Sequence, residues 1–210
     1  MNITQKKVTC VVIVAVLLAT LGAGCTQLSS NKTTESGGIT VTDDAGRTVT
    51  IAQTPNRIVS LAPSITEDLY ALGLGDKVVG TTTYCNYPPA ANNTTKVGGF
   101  GTPNIEKIVS VNPDIVFVSS ENKDKVIEAL EGYGIKTVVI APSSLTGVLN
   151  DLSLIGKVTG TTGNSSTLVA NLTQRMIASN ASVTSHPRVL YLVWYDPIRS
   201  AGADTFEGDI

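Results

Sequence analysis

From residue 39 the chain alternates, with Ile39 and Val41 set against Thr40 and Thr42, and the period returns at Val49 and Ile51 after "DDAGR". A two-residue period on both sides of such turn residues predicts a β-hairpin, closed by Pro55. The short apolar run 58–61, led by β-branched residues, predicts a buried strand. Ser64 and Glu67 then have the S-x-x-E spacing of a capping box, which predicts a helix start at Ser64. Ile65, Leu69 and Leu72 share one face of that helix, and Gly73 and Gly75 close it. Residues 78–82 read as the next strand.

The unit then repeats. Thr102 and Pro103 open a helix that turns Ile105, Ile108 and Val109 inward. "PDIVFVSS" reads as a strand, 124–133 as a helix lined by Val126, Ile127 and Leu130, and "IKTVVIAP" as a strand again. Strands and helices in alternation with short links predict an α/β fold, a parallel sheet flanked by helices on both faces. Two more helices follow. Leu145, Val148, Leu149, Leu152 and Ile155 line the first; Leu168, Leu172 and Met176 line the second, over 164–179 without Gly or Pro. After Pro187, "RVLYLVWYDP" predicts a strand that opens a new segment. Up to Ile210 no following strand partners are expected for it.

Composition changes the picture at the amino end. Lys6 and Lys7 precede the apolar stretch 8–24 and then Cys25, which reads as an export signal over 1–25. "LGAGC" resembles the lipobox of exported lipoproteins, in which the cysteine becomes the lipid-bearing first residue. The large apolar residue usual three positions before the cysteine is replaced by Gly22, with Leu21 one further away. An uncleaved membrane anchor would leave the domain on the same side of the membrane, the outer face of the cytoplasmic membrane. Residues 26–38 are rich in Ser, Thr and Gly and read as a flexible tether. With a net charge of −2, the chain offers no basic footprint for nucleic acid. Of the three cysteines only Cys85 belongs to the folded body, which excludes an internal disulfide, and it reads as a small, partly buried side chain.

Catalytic signals are sparse. The glycine-rich stretches "GLGDKVVG" and "GGFGTPN" match neither the G-x-G-x-x-G nor the Walker spacing. The single histidine, His186, reads as an exposed connector beside Pro187, and there is no G-x-S-x-G elbow. One histidine also argues against a zinc or manganese carrier, whose sites favour several His and carboxylate ligands. No catalytic residue and no metal ligand is therefore assigned. In an open α/β sheet ligands sit beyond the carboxyl ends of the strands. Pro63 and Ser64 follow the first strand, Tyr84, Cys85, Asn86 and Tyr87 follow the 78–82 strand, and Phe100 precedes a helix at the same level. Flat aromatic faces with a few polar tips suit a large, planar, partly apolar ligand. The same residues also suit a simpler part, with Tyr87, Pro88 and Pro89 capping the sheet edge over Tyr84. Composition alone leans toward that part.

Five pieces, in order, carry a resemblance: "RIVSLAPSITEDLYALGLGDKVVG", "YCNYPPAA", "VGGFGTPNIEKIVSVNPDIVF", "LEGYGIKTVVI" and "LIGKVTG". Over residues 40–210 the chain resembles the periplasmic binding proteins that deliver cobalamin, ferric siderophores or haem to ABC importers. The Tyr-x-x-Tyr-Pro-Pro element and the aromatic six residues before Glu106 look most like the cobalamin branch, where tryptophan is usual in place of Phe100. The resemblance implies Tyr84 and Phe100 as walls against a corrin ring, and Glu106 as a carboxylate that docks on permease arginines. It implies a transported corrinoid, with a ferric siderophore or haem as the rival cargo and Tyr84 or Tyr87 as iron ligands in that case. Expected partners are an ABC permease and its ATPase, plus the membrane through a lipid on Cys25. The implied architecture has two lobes joined by a long helix. Here 39–160 match the first lobe, 161–186 the linking helix and 187–210 the start of a second, truncated lobe. A sensor or adhesion module could use the same lobe without a permease, and an extracellular enzyme would need a catalytic cluster that these residues do not supply.

Overall fold

The computed structural model describes residues 38–120, 123–185, 188, 190–202 and 205–209. The export segment with Cys10 and Cys25, the tether up to residue 37, and His186 lie outside the described residues. Strands β1 (Ile39–Thr42) and β2 (Thr48–Ile51) pair antiparallel with Val41 opposite Val49. Val41, Val49 and Ile51 are buried while the intervening threonines are exposed, as a half-buried ribbon requires. The turn between them is held by Asp43, whose Oδ1 accepts from the Ala45 and Arg47 amides at 3.1 and 2.9 Å.

The body follows as β3 (Ile58–Ser60), α1 (Pro63–Ala71), β4 (Val78–Thr81), β5 (Thr95–Lys96), α2 (Ile105–Ser110), β6 (Ile115–Val118), α3 (Lys123–Gly132) and β7 (Lys136–Val139). Its five strands form one parallel sheet in the order β5-β4-β3-β6-β7. Successive side chains of the central strands point to opposite faces. Ile58, Ile115 and Phe117 join Ile65 and Leu69 of α1 and the hairpin's Val41 and Ile51 in one core. Val59, Val116 and Val118 join Ile108 of α2 and Val126 and Leu130 of α3 in the other. Each such fully buried side chain stabilises the fold by about 1.5–3 kcal/mol. Helices on both faces of a parallel sheet are the α/β class expected from the alternation.

Two long helices complete the first core. In α4 (Leu145–Thr159), Leu152, Ile155 and Val158 are buried; α5 (Thr162–Ala181) packs Leu168, Val169 and Leu172 against the same cluster. Gly156 permits their close crossing, since a Cβ there would stand 2.5 Å from Ser165 Cβ. Leu145, Val148 and Leu149 remain only half-buried and, with Leu172 and Met176, edge an apolar groove of about 560 Å³.

Three local expectations need correction. Helix α1 begins at Pro63 with Ala62 as N-cap and no side-chain cap bond, so Ser64 already lies inside the helix. The fixed φ of proline suits the first helical position and moves the start one residue ahead of the capping box. Helix α2 begins at Ile105, not at Thr102, because Asn104 Oδ1 accepts from the Lys107 amide at 2.9 Å and takes the cap. Finally, β8 (Leu192–Tyr195) is not a lone strand: it pairs antiparallel with β9 (Ile198–Ser200) around Asp196 and Pro197.

Candidate functional site at the carboxyl edge of the sheet

Three loops leave the carboxyl ends of β3, β4 and β5 side by side. The first turn is fixed by two buried hydroxyls and a carbonyl: Thr66 Oγ1 lies 2.8 Å from Ser60 Oγ and 3.0 Å from the Ala62 carbonyl, and Ser60 Oγ donates to that carbonyl at 3.1 Å. This sets Pro63 at the head of α1. In the second loop Cys85 is buried, its amide donating to the Thr82 carbonyl at 3.2 Å and its Sγ 3.1 Å from Thr82 Oγ1. The tight turn leaves Tyr84 at its crest, 64% exposed.

The third loop, between β5 and α2, folds back on itself. Gly98 bridges Pro103, the Gly99 amide donates to the Thr102 carbonyl at 3.2 Å, and Gly98 has φ +121°. A Cβ at Gly98 would stand 2.6 Å from the Asn104 nitrogen, so the turn demands glycine. The Thr83 amide donates to the Gly98 carbonyl at 2.9 Å and ties the Tyr84 loop to the Phe100 loop. A Cβ at Gly99 would stand 3.0 Å from Thr102 Oγ1 and meet Tyr84 Cε2 at an ordinary contact of 3.9 Å, so the ring packs beside this turn.

The three loops together form a shallow depression of about 430 Å³, lined by Pro63, Tyr84, Phe100 and Gly101. Two rings and a proline make an apolar, flat-sided lining, with the Tyr84 hydroxyl as a polar tip. The volume lies in the range of small-molecule sites. Of the residues singled out from sequence, Pro63, Tyr84 and Phe100 are thus brought together. Ser64, Asn86 and Tyr87 are exposed near the same edge but do not line this depression. The Asn86 carbonyl accepts from Asn92 Nδ2 at 3.4 Å, and the Tyr87–Pro88 peptide is cis. Glu106 is exposed in the first turn of α2, where a carboxylate is favoured by the helix dipole.

One residue at this edge has no signature in the sequence. Lys96, half-buried at the end of β5, donates from Nζ to Thr81 Oγ1, the Cys85 carbonyl and the Ala91 carbonyl at 3.0, 2.7 and 2.9 Å. A lysine between two threonines and a valine reads as an ordinary edge-strand residue. Only the folded loop supplies its acceptors.

Acidic groups gather elsewhere. Burial pushes Asp68 up to about 7, with the neighbouring Glu67 charge adding to the effect. Burial, then Asp44 through charge and a hydrogen bond, then Asp68, push Asp151 up to about 8. Asp151 Oδ2 has no hydrogen-bond partner among the described residues. None of these side chains lines the depression, and among the described residues no three His, Cys, Asp or Glu side chains form a metal-holding group. No described helix is long and apolar enough to cross a membrane.

The model of a family described as periplasmic binding protein matches residues 58–209. Over 208 residues the chain is 34% identical to an uncharacterized ABC transporter substrate-binding lipoprotein, YvrC, of Bacillus subtilis, covering 93% of this chain and 66% of that one. It is 30% identical over 178 residues to a cobalamin-binding protein of Halobacterium salinarum, covering 81% of this chain and 47% of that one. Among solved structures, the periplasmic heme-binding protein RhuT from Roseiflexus sp. RS-1, in apo form, superposes with a TM-score of 0.67 at 26% identity, covering 73% of this chain and 62% of that one. The chain thus spans less than two thirds of the length of the curated relatives it matches. Such families consist of solute-binding proteins, not enzymes. With the matched region taking in the whole parallel sheet and all three loops of the depression, the chain belongs to the periplasmic binding protein family.

Proposed function

We propose that this chain is the substrate-capturing subunit of an ABC importer, and that its cargo is a corrinoid of the cobalamin type. The observation that carries the cargo assignment is the Pro63, Tyr84 and Phe100 depression, whose flat apolar walls suit one face of a planar macrocycle. The similarity to a cobalamin-binding protein and to an ABC transporter substrate-binding lipoprotein supports the same reading. In it, Tyr84 and Phe100 contact the ring, while Asn86, Tyr87 and Ser64 meet its periphery from the surrounding edge. Glu106, exposed on α2, docks to the permease, and α5 joins this lobe to a second lobe that begins near β8. A lipid on Cys25 would hold the protein at the outer face of the membrane.

Haem or a ferric siderophore is the second reading. It is favoured by the exposed phenols of Tyr84 and Tyr87, which could reach iron, and by the likeness to a heme-binding protein. Parallel titration of the full chain with cobalamin, haemin and a ferric siderophore, followed by absorbance and by tyrosine fluorescence, separates the cargoes. Saturable binding of cobalamin supports the corrinoid reading. Binding of haemin alone, with a tyrosinate-to-iron band lost in Tyr84→Phe or Tyr87→Phe, would move the assignment to the iron cargo.

A further inference from the structure

We infer that Lys96 is the positioning residue of the ligand edge, acting through Tyr84 without itself touching cargo; the inference rests on the binding reading above. Its ammonium has three donors, and each is spent on a different piece of chain: Thr81 Oγ1 at the end of β4, the Cys85 carbonyl immediately after Tyr84, and the Ala91 carbonyl in the turn that closes the loop. Bonds from a charged donor are shorter and stronger than neutral ones, and the 2.7 Å contact to Cys85 fits that class. No carboxylate shares the ammonium in the described structure, so its charge is committed to the loop oxygens.

The loop has little else to hold it. Between Thr83 and Asn93 only Cys85 and Ala91 are buried, both small, while Tyr84, Asn86 and Tyr87 are exposed. Those two buried residues are the ones whose carbonyls Lys96 grips. Few buried apolar contacts make a segment locally unstable, so polar ties decide its order. Removing the ammonium would leave Tyr84 on a turn held by its own short-range bonds and by the single Thr83–Gly98 link. The ring would then no longer be presented at a fixed angle to Phe100, and the ordering would fall on the ligand, which weakens binding.

Two measurements on the full chain test this. Lys96→Met keeps the apolar stem and removes the donors. Amide hydrogen exchange over residues 83–93 is expected to speed up by about tenfold or more, while β3 and β6 keep their protection. Macrocycle affinity, measured with whichever of cobalamin or haemin the unmodified chain binds, is expected to fall by roughly tenfold. The Lys96→Met, Tyr84→Ala double variant should lose no more than Tyr84→Ala alone, because both changes remove the same ordered ring. If Lys96→Met fails to fold, Lys96→Gln, which retains a shorter donor, should show intermediate losses in both readouts. Unchanged exchange over 83–93 would overturn the assignment, and fully additive losses in the double variant would overturn action through Tyr84. An unmodified chain that binds neither macrocycle would sink the cargo reading instead, and exchange would still decide whether Lys96 holds the loop.

Discussion

The described residues form two hairpins, and they differ in what lies against them. In the first, β1 and β2 turn Val41, Val49 and Ile51 into the core beside Ile58 and Phe117. In the second, every residue of β8 and β9 is exposed, Tyr195 to 78%, although Leu192, Val193, Trp194 and Ile198 are all apolar. The first alternates in sequence and needs cover on one face only. In the second, β8 is a continuous apolar run, the pattern of a strand covered on both faces, and the described residues cover neither. Exposed aromatic rings are therefore not by themselves evidence of a ligand site. Trp194 and Tyr195 stack on each other with centroids 5.7 Å apart, but Tyr84 and Phe100 face a common depression built by three stitched loops.

The first hairpin's hold on the core is strongest at its turn. Asp43 Oδ2 accepts from Arg47 at 2.7 Å and from the Val139 amide at 3.1 Å, so one buried carboxylate pins the hairpin to β7. Asp43→Ala strands the Val139 amide, leaves Arg47 with only Glu131 and Thr137 as partners, and should cost about 3 kcal/mol in urea unfolding. Next comes a matched pair of truncations. Ile51→Ala should cost about 2–4 kcal/mol and leave a cavity, while Ile198→Ala should stay within about 0.5 kcal/mol. Equal costs would mean that the second hairpin is covered after all.

A smaller effect belongs to pH. The hairpin's Asp44 faces Asp151, whose folded value of about 8 lies above the ordinary 3.8. Asp68, at about 7, shares the sign. As pH rises above about 4 the unfolded carboxyls ionise while the folded ones hold their protons, so folded stability falls between about pH 4 and 8. Asp151→Asn removes that titration. It should flatten the fall by roughly 1–2 kcal/mol, allowing for solvent screening, as read from unfolding midpoints at pH 5 and pH 8. A variant whose pH profile keeps the full slope would show that Asp151 ionises normally.

Much of the fold was legible because it rests on periodicity. The apolar runs at 58–61 and "DIVFV", and the helical faces of Ile65 and Leu69 or of Val126 and Leu130, all pack as their spacing requires. Boundaries were less legible where two signals competed, as at Pro63 against the Ser64 capping box. The strand after residue 190 was readable, but its partner β9 was not, since "IRS" carries no alternation of its own. At the site, Tyr84 and Phe100 could be found because aromatic residues follow strand ends. Lys96, and the Ser60, Ala62 and Thr66 trio, could not, because their partners include main-chain oxygens set by the fold.

The central claim is that the rings at the sheet edge, not the rings of the second hairpin, hold cargo. Its most direct test is one cobalamin titration of three full-length chains: unmodified, Tyr84→Ala with Phe100→Ala, and Trp194→Ser with Tyr195→Ser. The account predicts a loss of about tenfold or more, some 1.4 kcal/mol or greater, for the edge pair, and affinity within about twofold of the unmodified chain for the hairpin pair. Loss confined to the hairpin pair, with the edge pair binding normally, would contradict it.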